Sequence, residues 1–184
     1  MTEEIIIAGF GGQGVLSMGK ILAYSGMMQN KEVSWMPSYG PEMRGGTANV
    51  TVIISDERIS SPILNKFDTA IILNQQSMDK FENCVKKGGV LIYDPNGITR
   101  HPERKDINIY TIAAADESSK MGSSKVFNMI VLGAFLKLKP LISPEYMRKG
   151  LEKSLPTRHH NTIPENEKAI EVGKEAIKSR YLMN

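Results

Sequence analysis

Residues 4–8, Glu-Ile-Ile-Ile-Ala, are almost wholly apolar and stop at Gly9. A short unbroken β-branched run of this kind predicts a strand covered on both faces, as in a parallel sheet. Glycines crowd positions 9–14. From 15 to 29 the pattern changes, and Val15, Leu16, Met18, Ile21, Leu22, Ala23 and Met27 recur over a broad helical face. A second strand is predicted at 32–36, a third at 47–55, and Asp56-Glu57 reads as a turn after which 58–60 pair back. Further strands are predicted at 69–73, 90–93 and 107–112. A helix at 75–87 is stopped by Gly88-Gly89, and Asp94-Pro95-Asn96-Gly97 is a strong turn. Three helices close the chain. The one at 126–138 is apolar nearly all round, the next is opened by Ser143-Pro144-Glu145, and the last spans 165–183. Strands alternating with helices predict an α/β fold: a doubly wound, mostly parallel, Rossmann-like sheet with helices on both faces. No repeat or linker divides residues 1–184, which read as one domain.

Composition narrows the function classes. Basic residues number 23 and acidic residues 20, a net charge of +3 with no dense Lys/Arg block, so the footprint of a nucleic-acid binder is missing. Cys84 is the lone cysteine, which excludes an internal disulfide or a cluster held by this chain's own thiolates. The acidic start lacks the pattern of a signal peptide, and the longest apolar run, 129–136, is far short of the roughly 20 residues needed to span a bilayer. A cytoplasmic protein without membrane or nucleic-acid partners is expected.

Two segments hold candidate chemistry. Gly9, Gly11 and Gly14 fit G-x-G-x-x-G between a strand and a helix, where tight turning and free N–H groups suit a phosphate. Close strand–helix packing alone would also explain them. A dinucleotide site needs a carboxylate at the end of the second strand, but Trp35-Met36-Pro37-Ser38 stands there and Glu32 lies at the wrong end. Another phosphate, or a partner's loop, stays open. The second segment, Ser38-Tyr39-Gly40-Pro41-Glu42-Met43-Arg44-Gly45-Gly46, is stiffened by proline and offers an arginine suited to phosphate or carboxylate. An internal Glu42–Arg44 arrangement is the alternative. His159 and His160 are adjacent and point apart on most backbones, which disfavours a shared metal. Cys84 reads as a small packed side chain, and no G-x-S-x-G turn supports a hydrolase.

The glycine turn followed by the segment 38–46 resembles the gamma subunit of 2-oxoacid:ferredoxin (acceptor) oxidoreductases, the pyruvate/ketoisovalerate type. The same unit occurs fused into single-chain pyruvate enzymes and indolepyruvate enzymes. Asn128-Met129 with Leu132-Gly133-Ala134, and Asn166-Glu167-Lys168-Ala169 reaching Gly173, extend the resemblance over nearly the whole chain. Glu42-Met43-Arg44 is most similar to the 2-oxoglutarate branch. The resemblance implies a complex that decarboxylates a 2-oxoacid on thiamine diphosphate and Mg²⁺, passes electrons through iron–sulfur clusters to ferredoxin, and makes an acyl-CoA. The Gly-Asp-Gly and Asn-Asn stretches of a thiamine diphosphate site are missing from this sequence. The resemblance therefore implies that alpha, beta (thiamine-binding) and delta (ferredoxin-like) subunits hold those cofactors. It gives this chain no catalytic residue and no metal. Gly11, Gly12, Gln13, Gly14, Tyr39, Glu42 and Arg44 would face coenzyme A. The alternative is a stand-alone Rossmann-type oxidoreductase using NAD or flavin.

Overall fold

The computed structural model describes residues 1–38 and 47–179. Its seven strands form one sheet: β1 (Thr2–Phe10), β2 (Glu32–Ser38), β3 (Thr47–Ser55), β4 (Phe67–Ile72), β5 (Val85–Tyr93), β6 (Asn108–Thr111) and β7 (Lys178–Ser179), in the order β2-β3-β1-β4-β5-β6-β7. β1, β4, β5 and β6 are mutually parallel, β3 and β7 run against them, and β2 regains the direction of β1 by pairing antiparallel with β3. The mostly parallel α/β sheet expected from the sequence is present. The apolar run in β1 has the predicted cause, because Ile5 and Ile7 enter one core while Ile6 and Ala8 enter the other.

The first and second strands are not neighbours, since β3 doubles back between them. β2 is therefore an edge strand, and that position accommodates Pro37, which lacks an N–H. The segment 58–60 does not pair back; Ser55 Oγ accepts from the Glu57 N–H and closes a turn by itself.

One face of the sheet is covered by α1 (Val15–Met28), α4 (Phe127–Leu138), α5 (Pro144–Ser154) and α6 (Ile163–Ala176). α4 is apolar all round because it is buried beneath α6. A Cβ on Gly133 would meet the Ile170 carbonyl oxygen at 2.0 Å, and one on Gly173 would meet that of Ile130 at 1.9 Å. The two helices cross backbone to backbone, each through the other's glycine. The second face is covered by α2 (Gln75–Phe81) and the segment leading to β6. The helix expected at 75–87 ends early: a 3₁₀ turn, Glu82–Cys84, follows, and the chain enters β5 at Val85. Burial of Val85 and the ion pairs of Lys86 to Glu4 and Asp68 tie this stretch to the sheet. A short helix, α3 (Ala114–Lys120), adds to the three closing helices. α6 stops at Ala176, not 183, and the chain turns to pair Lys178 with Thr111. Tyr181 and Met183 lie outside the described residues. Among those described, no helix is long and apolar enough to cross a membrane.

Candidate functional site at the carboxyl rim

β1 delivers the chain into the glycine turn at the rim where β4 and β5 also end. The Gln13 N–H donates to the Phe10 carbonyl at 3.2 Å and closes the turn. The Gln13 side chain spans two strand ends: Oε1 accepts from the Phe10 N–H at 2.6 Å and Nε2 donates to the Leu73 carbonyl at 3.2 Å. Its amide is committed to holding the turn, so it is a brace and not a free ligand group. Gly9 serves that brace, since a Cβ there would lie 2.5 Å from Gln13 Oε1. Gly12 and Gly14 have φ of 96° and 75°, in the left-handed region that glycine adopts freely.

Gly14 caps α1 with no side-chain hydrogen bond, and no acidic residue stands in the first turn. The opening N–H groups of α1 are thus left for another acceptor. Two hollows flank the turn. One, of ≈ 310 Å³, lies between Gly12, Leu16, Ser17 and Ala48. The other, of ≈ 380 Å³, lies between Gly12 and Gly14 on one side and Ser118, Ser124, Lys125 and Asn128 on the other.

Ser38 pairs with Asn49 and Thr47 with Phe10, so both strand ends that the 39–46 segment joins sit on this same rim. Tyr39, Glu42 and Arg44 themselves lie outside the described residues.

The sequence reading missed three groups here. Asp94, at the end of β5, is buried; one oxygen accepts from the Asn96 N–H at 2.8 Å and the other from the Ala115 N–H at 3.2 Å. Burial pushes its carboxyl up from the ordinary value, against those two hydrogen bonds. It fixes the start of α3 and with it one wall of the larger hollow. Lys125 comes from the approach to α4 and Asn128 from its first turn; the sequence marked Asn128 only within a stretch of family resemblance, and its place against Gly14 shows in the fold. A Cβ on Gly14 would lie 2.8 Å from Asn128 Cβ. Elsewhere, His160 Nε2 lies 3.1 Å from the Leu155 carbonyl. No group of three or more metal-ligating side chains occurs among the described residues. Cys84 is half-buried, its thiol directed at the Lys80 carbonyl.

An open, mostly parallel α/β sheet with a glycine turn and polar hollows at its carboxyl rim defines a protein of the doubly wound class, in which ligand sites generally fall at that rim. A profile described as pyruvate ferredoxin/flavodoxin oxidoreductase matches residues 4–176, and the chain belongs to that family. It is 38% identical over 183 residues to 2-oxoglutarate synthase subunit KorC of Methanocaldococcus jannaschii, covering 95% of this chain and 96% of that one. It is 39% identical over 135 residues to ketoisovalerate oxidoreductase subunit VorA of Methanothermobacter thermautotrophicus, matching 73% of this chain but only 28% of that relative. Among solved structures, a keto/oxoacid ferredoxin oxidoreductase gamma subunit from Geobacter sulfurreducens superposes with a TM-score of 0.81 at 29% identity, covering 96% of each chain. The 2-oxoglutarate:ferredoxin oxidoreductase from Magnetococcus marinus, solved with 2-oxoglutarate, coenzyme A and succinyl-CoA bound, does so with 0.84 at 25% identity. There the match covers 95% of this chain and 31% of that one.

Proposed function

We propose that residues 1–184 form the single gamma-type unit of a cytoplasmic, multi-subunit 2-oxoacid:ferredoxin oxidoreductase of the 2-oxoglutarate branch. Its carboxyl rim faces the coenzyme A side of the reaction chamber. The end-to-end match to a KorC subunit supports the assignment. One lone cysteine does not make a cluster site, so the reading gives the iron–sulfur clusters to a ferredoxin-like delta subunit. Thiamine diphosphate and Mg²⁺ are given to the alpha and beta subunits. When bound there, thiamine diphosphate supplies the carbanion chemistry of decarboxylation. This chain's share is to dock on those subunits and hold one wall of the chamber.

The convergence of the glycine turn and both ends of the 39–46 segment on one rim supports the coenzyme-facing role. The stand-alone NAD or flavin reading fits poorly, because β2 is separated from β1 by β3 and ends without a carboxylate. Arg44→Ala in the assembled complex tests the reading. Loss of a charge-assisted hydrogen bond predicts an apparent KM for coenzyme A raised about tenfold, with the KM for the 2-oxoacid unchanged. An unaltered KM for coenzyme A defeats it.

A further inference from the structure

Helix α3 is held lightly, and its tether to the sheet is a buried carboxylate. It buries only Ala114 and Ser118, both small, with part of Met121 just beyond its end. Ser118 and Ser119 return their hydroxyls to the Ala115 carbonyl, and Lys120 pairs with Glu117, so those bonds stay inside the helix. The residue that opens α3 gives no side-chain cap. Asp94 supplies one from the end of β5: its Oδ2 accepts from the Ala115 N–H at 3.2 Å, while Oδ1 accepts from the Asn96 N–H at 2.8 Å in its own turn. At the far end the chain leaves through Gly122, whose φ of 71° and open surroundings make a hinge that disturbs no packing.

Asp94 is 2% exposed, and among the described residues no cation pairs with it. The strand ends in register beside it bring Leu73, Asn74 and Ile112, none of which ionises. The charge that acts on it is Asp116 of α3, which has the same sign. A carboxylate that is hydrogen-bonded but not neutralised is costly while shut from water, and hydration relieves that cost. We propose that α3 is a charge-loaded strap, which opens apart from the rest of the sheet and returns the Asp94 carboxylate to water. Ala115, Ser118 and Ser119 line the hollow opposite the glycine turn, so opening of the strap widens it. The device is a property of the chain itself and rests on no reading of what the hollow holds.

The sign of its pH dependence follows from burial. Burial, foremost, pushes the Asp94 carboxyl above 3.8 in the closed state, against the two backbone hydrogen bonds. Opening moves it back toward that ordinary value. The closed strap therefore holds the proton more tightly; its advantage is complete below the ordinary value and is lost as pH rises through the raised one.

Amide hydrogen exchange on the full chain between about pH 3.5 and 7, corrected for intrinsic exchange rates, tests this. The amides of Ala115, Glu117 and Met121 should open several-fold more often at the upper end of that window than at the lower. Ile71 and Ile92, in the core strands, should open far less often throughout. Asp94→Asn keeps the shape without the charge, and its α3 amides should hold one opening constant across the window, near the acid-end value of wild type. Asp116→Asn should move the midpoint of the wild-type rise to lower pH, and this variant carries the test should Asp94→Asn fail to fold. Strap and core amides that open together, a wild-type strap that ignores pH, a rise that persists in Asp94→Asn, or an unmoved midpoint in Asp116→Asn overturns the inference.

Discussion

The amino rim of the sheet pairs its charged side chains with one another, whereas the carboxyl rim satisfies Gln13 and Asp94 but leaves Lys125 and Asn128 without a partner among the described residues. At the amino rim, buried Glu3 accepts from Thr69 Oγ1 at 2.6 Å and from Lys139 Nζ at 3.0 Å. Beside it, Lys86 reaches both Glu4 and Asp68. Asp56 holds Lys31 and the N-terminal ammonium. At the carboxyl rim the glycine turn is held by backbone and by Gln13, and Lys125 and Asn128 stand unengaged. One edge commits its charges to the fold, and the other does so less fully. The family's common ground with a subunit of larger complexes makes that division intelligible.

If the division is real, damage at the amino rim should cost stability and spare ligand affinity. Glu3→Leu leaves the fully buried Thr69 hydroxyl without its acceptor and Lys139 without its partner. Lys139 is partly exposed and can turn to solvent, which tempers the loss. A destabilisation of about 2–4 kcal/mol is expected in urea unfolding, with the apparent KM for coenzyme A of the assembled complex unchanged. A loss below about 1 kcal/mol would place the pair among ordinary surface ion pairs.

At the carboxyl rim, two glycines separate backbone strain from packing. Alanine at Gly12 meets nothing within 4 Å, so only the positive φ opposes it, and about 1 kcal/mol should be lost. Alanine at Gly14 carries the same strain and also strikes Asn128, so about 2 kcal/mol should be lost and the larger hollow reshaped. Thermal melts distinguish the two. Equal losses would mean that Asn128 yields freely and is not held over the turn.

Much of this frame is legible in the sequence where period and glycine coincide. The apolar run before Gly9 and the helical pattern after Gly14 place β1, the turn and α1 correctly to within a residue or two. What failed was decided by contacts remote in sequence. Val85 and Lys86 leave the helical pattern because β4 and Glu4 hold them. α3 shows no apolar stripe because it buries chiefly Ala114 and Ser118. Lys125 looks like an ordinary helix start, and Asn128 stands out only by resemblance until the fold lays it against Gly14. The 38–46 segment could be singled out by composition, but the pairing that lays its far end, Thr47, beside Phe10 of the turn comes from β3 inserting between β1 and β2.

The smallest effect belongs to the exposed end of the amino rim and depends on pH. A hydrogen bond from Lys31 foremost, then one from the N-terminal ammonium, holds the Asp56 carboxyl at about 2, below the ordinary 3.8. A carboxyl whose pKa is lower in the folded chain stabilises it while ionised, and that contribution fades as pH falls from the unfolded value through the folded one. Between about pH 4 and 2, wild type should therefore lose this increment, and Asp56→Asn, which has none to lose, should show a shallower decline of Tm over that window. At neutral pH the variant should melt only slightly below wild type, and less so at high salt, because the group is solvent-exposed and screened. Parallel Tm–pH curves for the two proteins would remove Asp56 from the closed rim and leave Glu3, Thr69 and Lys139 as the part that secures it.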